Sequence, residues 1–286
     1  MNVKENFSGR AADYTTGRPG YAKELIDCFY NEYGMTDTSV IADIGSGTGK
    51  FARHLLQRGS VVYCVEPNND MRQTAEKELN ICNGFHSVQG DAENTTLSDH
   101  SVDFITTAQA FHWFDAEKFR RECMRILRDN GKVFLIWNVR DIEDPINLEL
   151  FRTFALYCPD FHGFSGGITK DDPRIKDFFR GQYEYVQFDQ PLRLDYETYI
   201  ARCLSGSYSI KENDKEYDHY KTSLDDIFNK YSDQGMVTIG NHSVAYSGSL
   251  LDKENRNEVF QDPYRRYCLA DQAAKRTVYG GWETGR

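Results

Sequence analysis

Val40-Ile41-Ala42-Asp43-Ile44-Gly45-Ser46-Gly47-Thr48-Gly49-Lys50 decides the fold. Its first half is a short apolar run, which reads as a buried strand, and its second half is a glycine-dense turn. Phe51, Ala52, Leu55 and Leu56 then recur at helical spacing. The unit is therefore strand, tight loop, helix. Glycines at 45, 47 and 49 let the backbone turn sharply and let a ligand approach it closely. A second apolar run, Val61 to Val65, ends in Glu66, about twenty residues past the first glycine, where a carboxylate can hold a ribose diol. Asp43 stands at the end of the first strand. This pattern belongs to a site for a nucleotide-like cofactor at the carboxyl edge of an open α/β sheet.

Outward from that unit, strands and helices alternate. Strands are expected at 61–65, 85–89, 102–107 and 132–139 and helices at about 70–79 and from Asp115, a rhythm that implies a parallel sheet with right-handed crossovers. Upstream, Pro19 is expected to open a helix carrying Tyr21, Leu25, Ile26, Phe29 and Tyr33 on one side and stopping at Gly34. Downstream the rhythm changes. Helices are expected at 143–157, 195–204 and 217–231, a sixth strand at 183–188, and a last strand with an irregular middle over 236–247. Four regions follow: residues 1–36 as an arm and helix covering the cofactor, 37–142 as the core, 143–250 as cap helices plus the last strands, and 251–286 as a charged extension. The expected fold is a doubly wound, mostly parallel seven-stranded sheet with one antiparallel strand near the end and a helical cap over its carboxyl edge.

Length and composition narrow the function. The chain has 286 residues and a formal net charge of -10, which argues against a nucleic-acid backbone as the main partner. Aromatic residues make up 14%, with many beyond residue 150, and suit a pocket enclosing an organic ligand. Seven cysteines without a CxxC pair read as reduced thiols of a cytoplasmic protein, with neither a disulfide framework nor a metal site. No run reaches the ~18 apolar residues of a membrane span, and the polar first residues carry no signal-peptide pattern.

Four motifs in order carry a family resemblance. They are Asp43 to Gly49, Glu66 after the second strand, Gly90-Asp91-Ala92 after the third, and Ala108-Gln109-Ala110-Phe111-His112-Trp113-Phe114 after the fourth. Over residues 5–140 the chain resembles the class I methyltransferases that use S-adenosylmethionine (SAM), with their Rossmann-like sheet. It is most similar to the small-molecule branch that includes trans-aconitate methyltransferase-like proteins. The resemblance implies roles. Asp43, Gly45, Ser46, Gly47, Thr48 and Gly49 would cradle the amino-acid end of SAM, and Glu66 with Pro67 would take the ribose. Asp91 and Ala92 would meet adenine, and Gln109 would lie near the methionine end. Tyr14 and Arg18, on the N-terminal arm, would fold over the cofactor. The product would be S-adenosylhomocysteine (SAH).

A carboxylate acceptor needs no base, whereas a hydroxyl or amine does, and His112 is the first candidate for that task and Tyr14 a weaker one. His112, Trp113, Arg140 and Arg202 are candidate acceptor contacts, the arginines for an acidic group. Other readings remain open at this level. An NAD-linked oxidoreductase fits the sheet and Glu66, but Lys50 stands where a dinucleotide loop wants its third glycine. A base-methylating enzyme typically carries an Asn/Asp-Pro-Pro-aromatic segment where this chain has Gln109-Ala110-Phe111-His112. A non-catalytic SAM-binding sensor or partner subunit would need no base.

Overall fold

The computed structural model describes residues 20–164, 171–206 and 208–250, and the backbone of 275–279. Tyr14, Arg18 and nearly all of the 251–286 extension lie outside the described residues.

Five strands build the parallel half of the main sheet: β1 (Val40–Ile44), β2 (Val61–Val65), β3 (Phe85–Val88), β4 (Val102–Ala108) and β5 (Leu127–Arg140). β6 (Tyr183–Asp189) and β9 (Asn241–Gly248) complete the seven expected strands, and β10 (Lys275–Tyr279) adds an eighth at the edge. The order is β10-β6-β9-β5-β4-β1-β2-β3, with β9 antiparallel to both β5 and β6, and β10 antiparallel to β6. The chain switches direction between β1's two neighbours, β2 and β4, so their connections leave on opposite sides and open a crevice at the carboxyl ends.

Alternation along β5 explains why both faces are covered. Val133, Leu135 and Trp137 enter one apolar cluster, while Phe134 and Ile136 enter the other. The first cluster includes Phe119, Cys123 and Ile126 of α4 (Ala116–Ile126) and Ile175 and Phe178 of α6 (Pro173–Phe178). The second takes Leu25, Ile26 and Phe29 of α1 (Lys23–Asn31), Leu55 and Leu56 of α2 (Ala52–Leu56), and Leu79 of α3 (Asn69–Leu79). Side chains of Asn68 and Asp115 accept amide bonds at the starts of α3 and α4. The α4 helix ends at Ile126, and the strand expected from 132 starts earlier, at Leu127. β5 begins at once, with an irregular register between Val102↔Leu127 and Phe104↔Lys132.

A third apolar cluster joins α5 (Pro145–Tyr157), α7 (Tyr196–Leu204) and α8 (Tyr217–Tyr231) to a small antiparallel pair, β7 (Leu192–Asp195) with β8 (Met236–Ile239). The expected irregular last strand is therefore two strands in two sheets, and Gly240 is the changeover. Its N–H donates to Asp144 Oδ2 at 2.8 Å, and its carbonyl accepts from Asn147 Nδ2 at 2.7 Å. A Cβ there would stand 2.9 Å from Asp141 Cβ, so only glycine fits without a shift. Among the described residues no helix is long and apolar enough to cross a membrane.

Candidate active site

β1 delivers Asp43 to the carboxyl edge fully buried, with Thr106 of β4 as its register partner. Thr106 Oγ1 donates to Asp43 Oδ1 at 2.8 Å, while Oδ2 is buried with no hydrogen-bond partner among the described residues. Burial pushes the Asp43 carboxyl up to about 7. The Thr106 bond opposes that rise, and the charge of Glu66 adds to it.

The loop beyond Asp43 turns on three glycines in left-handed conformation, with φ of +68°, +56° and +75° at Gly45, Gly47 and Gly49. The three differ in their surroundings. A Cβ on Gly45 would lie 2.8 Å from Ala110 Cβ and 3.1 Å from the Phe114 ring, and one on Gly49 would lie 2.3 Å from Leu79 Cδ1. Gly45 therefore lets the 110–114 segment pack onto the loop, and Gly49 lets α3 do so. At Gly47 nothing stands within 4 Å of the Cβ position, so this glycine faces open space.

Glu66, only 8% exposed, braces the loop from β2. Its Oε2 accepts from Gly47 N at 2.9 Å and its Oε1 from Asn68 N at 2.8 Å. Burial raises its carboxyl, and those two amides and Arg72 partly offset the rise. Each oxygen keeps accepting capacity for a further donor. Thr48 is buried, and Ser46 and Pro67 are half-buried. After β3, Asp91 Oδ1 accepts from the amides of Glu93 (3.1 Å) and Asn94 (2.9 Å), a tight turn that buries Ala92.

After β4, Gln109 holds a left-handed backbone (φ +58°), uncommon for a residue with a side chain. Two hydrogen bonds to β5 keep it there: its N–H donates to Ile136 O at 2.9 Å and its Nε2 to Asn138 O at 3.1 Å. A single 3-10 turn, Phe111–Trp113, follows. Phe111 is buried, His112 is half-buried with its ring 4.9 Å from that of Trp113, and Trp113 is 47% exposed.

Arg140 ends β5 beneath the helical layer. Its guanidinium lies 4.4 Å over the Phe164 ring and 5.8 Å from that of Phe154, and its Nη1 donates to Asn147 Oδ1 at 3.3 Å. Arg202 comes from α7. Burial pushes up the Tyr208 hydroxyl, and Arg140 and Arg202 both pull it back. Burial likewise raises the Cys203 thiol to about 11 against the same two charges. Arg140 and Arg202, far apart in sequence, thus both act on Tyr208 and Cys203.

Sequence reasoning missed Thr106, Asn138, Asn147 and Ser243. Thr106 is detectable only once β1 and β4 are paired, and Ser243 only once β9 is laid against β5.

Comparison with known proteins agrees with this geometry. Residues 42–135 match the model of a methyltransferase domain. An uncharacterized methyltransferase-like protein of Schizosaccharomyces pombe is 29% identical over 227 residues, covering 78% of this chain and 86% of that protein. A second uncharacterized methyltransferase of the same yeast is 33% identical over 147 residues, about half of each chain (50% and 56%). A solved structure described as a type II methyltransferase from Anaeromyxobacter dehalogenans shares the fold, with TM-score 0.59, 16% identity, and 82% of this chain and 98% of that one covered.

The site fits SAM on its own terms. The space at Gly47 admits a ligand against the backbone, the unpartnered Asp43 oxygen suits an amino group, and Glu66 keeps acceptors for a diol. The matching methyltransferase-domain model over residues 42–135 and the relatives described as methyltransferases identify a SAM-dependent methyltransferase, on a fold shared with a solved methyltransferase structure.

Proposed function

We propose that the protein methylates a small molecule carrying an anionic group, held between the carboxyl edge of the sheet and the helical layer of residues 143–250. The observation that supports this reading is Arg140 at the end of β5, its guanidinium over the Phe164 and Phe154 rings, with the charges of both Arg140 and Arg202 acting on Tyr208. Guanidinium groups offer several donors to a carboxylate, and aromatic walls exclude the water that would compete. SAM supplies an activated methyl group on its sulfonium.

The residues of the chain bind, orient and keep water out. Asp43 and the loop from Gly45 to Gly49 hold the amino-acid end of SAM, Glu66 and Pro67 the ribose, Asp91 and Ala92 the adenine, and Gln109 the methionine end. Arg140 and Arg202 orient the acceptor, and Trp113 closes one side. An ionised carboxylate acceptor needs no proton removed. For a hydroxyl or amine, His112 accepts the proton. The seven cysteines without a CxxC pair support a reducing compartment such as the cytoplasm.

Incubation with methyl-labelled SAM and panels of small acids, alcohols and amines tests the reading. Acids are expected to be labelled, Arg140→Ala to raise KM for them at least about tenfold, and His112→Ala to leave acid turnover unchanged. Labelling confined to proteins, nucleic acids or neutral amines would overturn it.

A further inference from the structure

Asn138 sits on β5, on the same side of the strand as Arg140, and has no assigned role. Its main-chain carbonyl accepts the Gln109 Nε2 bond at 3.1 Å. Its side-chain Nδ2 donates to Gly20 O at 2.9 Å, and its Oδ1 accepts from Ser243 Oγ at 2.6 Å. The same Ser243 oxygen, fully buried on β9, accepts from Ala22 N at 2.9 Å. One polar node therefore ties together the strained turn after β4, the centre of the sheet, and the backbone that enters α1 from the N-terminal arm.

The apolar need of the sheet does not explain this node. Neighbouring β5 positions 133–137 are all apolar and buried. A partly buried amide with both ends engaged costs desolvation that its partners must repay, and it specifies one geometry in return. The node places Gly20 and Ala22 at the carboxyl end of β5 and the amino end of β9, beside the residue that follows β4. An αL residue with a side chain is a strained position, held only by its surroundings.

We propose that Asn138 is a positioning residue for the cofactor site. Acting with Ser243, it holds Gln109 in its left-handed conformation and pins the root of the N-terminal arm beside it. The inference rests on the assignment of Gln109 to the methionine end of SAM. Asn138 touches neither cofactor nor acceptor and acts through Gln109 and Gly20.

The test uses the full chain and SAH as probe. Asn138→Asp is nearly isosteric and keeps the acceptor for Ser243, but it turns the donor toward Gly20 O into a second acceptor. Ser243→Ala is the milder variant, which leaves Asn138 Nδ2 free to bind Gly20. Calorimetry is expected to give SAH binding about tenfold weaker for Asn138→Asp, which corresponds to about 1.4 kcal/mol. Stopped-flow release is expected to be faster by a similar factor, and trypsin to cut faster after Lys23, next to the pinned Ala22. Ser243→Ala is expected to move all three in the same direction by less. Variants that lose thermal stability yet bind and release SAH like the native chain, with native cleavage at Lys23, would make the node a stabilising contact only and overturn the proposal. Native protein that fails to bind SAH would instead overturn the cofactor assignment.

Discussion

Asp43 and Glu66 are two buried carboxylates on adjacent strands, and burial raises both. The sign of the consequence at Asp43 is unusual. An unfolded aspartate gives up its proton near its ordinary value of 3.8, while the native one keeps it to about 7. Between those values the native state binds the extra proton, so this group's contribution falls as pH rises through the window from about 4 to 7. Asp43→Asn removes the titration. The stability lost by the native protein between pH 5 and pH 8 should shrink in the variant by on the order of 2–4 kcal/mol, read from denaturant curves at the two values. A cationic ligand beside Asp43 favours its ionised form, so SAM binding near pH 7 should release protons. Calorimetry in buffers of different ionisation enthalpy detects this, and Asp43→Asn should reduce it. Glu66 differs in that both oxygens already accept backbone amides. Even Glu66→Gln must set an NH2 against one of those N–H donors. Each charged hydrogen bond lost is worth about 1.5–3 kcal/mol, so both Glu66→Gln and Glu66→Ala should weaken SAH binding at least tenfold by calorimetry. An unchanged affinity would remove Glu66 from the site.

The glycine loop is one element with three different demands. Gly49 is a packing glycine, because α3 occupies the place of its side chain. Gly49→Ala combines a left-handed backbone, about 1–2 kcal/mol, with overpacking of about 1–3 kcal/mol, and should lower the thermal midpoint clearly. Gly47 has the same backbone requirement but no neighbour. Gly47→Ala should cost only the conformational part and yet lose the stabilisation by SAH, since its methyl group enters the ligand's space. Thermal midpoints of both variants with and without SAH separate the two. Equal ligand shifts in Gly47→Ala and the native protein would mean that the cofactor does not approach this face. Changes of period from apolar run to helical spacing made the elements legible in sequence as far as β5. Gly240 escaped because apolar alternation resumes beyond it with a shifted phase, Val237 and Ile239 and then Val244 and Tyr246, which reads as one irregular strand, while Asp144 and Asn147 capture its backbone and send the chain into another sheet.

At the scale of the whole molecule, the sheet ends in different ways. β10 pairs with β6 over Lys275↔Gln187 to Tyr279↔Tyr183 and covers an edge that would otherwise offer unpaired backbone groups. A chain ending at Leu250 should keep both main apolar clusters as they are built among the described residues. It should bind SAH like the full chain but self-associate with rising concentration in sedimentation velocity. A truncated chain that stays monomeric across the range would mean that the β6 edge needs no cover. The helical layer has its own apolar cluster and meets the sheet at Arg140, Asn147 and Gly240, a junction of polar contacts around the proposed acceptor niche.

The order of residues alone was enough for the strand–loop–helix unit and a parallel sheet over the first five strands, and its four motifs carried the resemblance that implied the family and its cofactor. The unit and the strands rest on local chemistry: glycines where the loop turns, and apolar runs whose spacing states whether a strand or helix buries them. The roles of Glu66, Asp91 and Gln109 were expected at their positions, but not the amides that occupy Glu66 or the strain at Gln109. Only the tertiary structure decided which distant side chains meet. It pairs Thr106 with Asp43 through β-register, joins Asn138 to Ser243 and Gly20, and sets the guanidinium of Arg140 over the Phe164 ring. The physical reason is that periodicity reports which face of an element is buried and carries no information about its partner, which the crossing of strands and the packing of helices select.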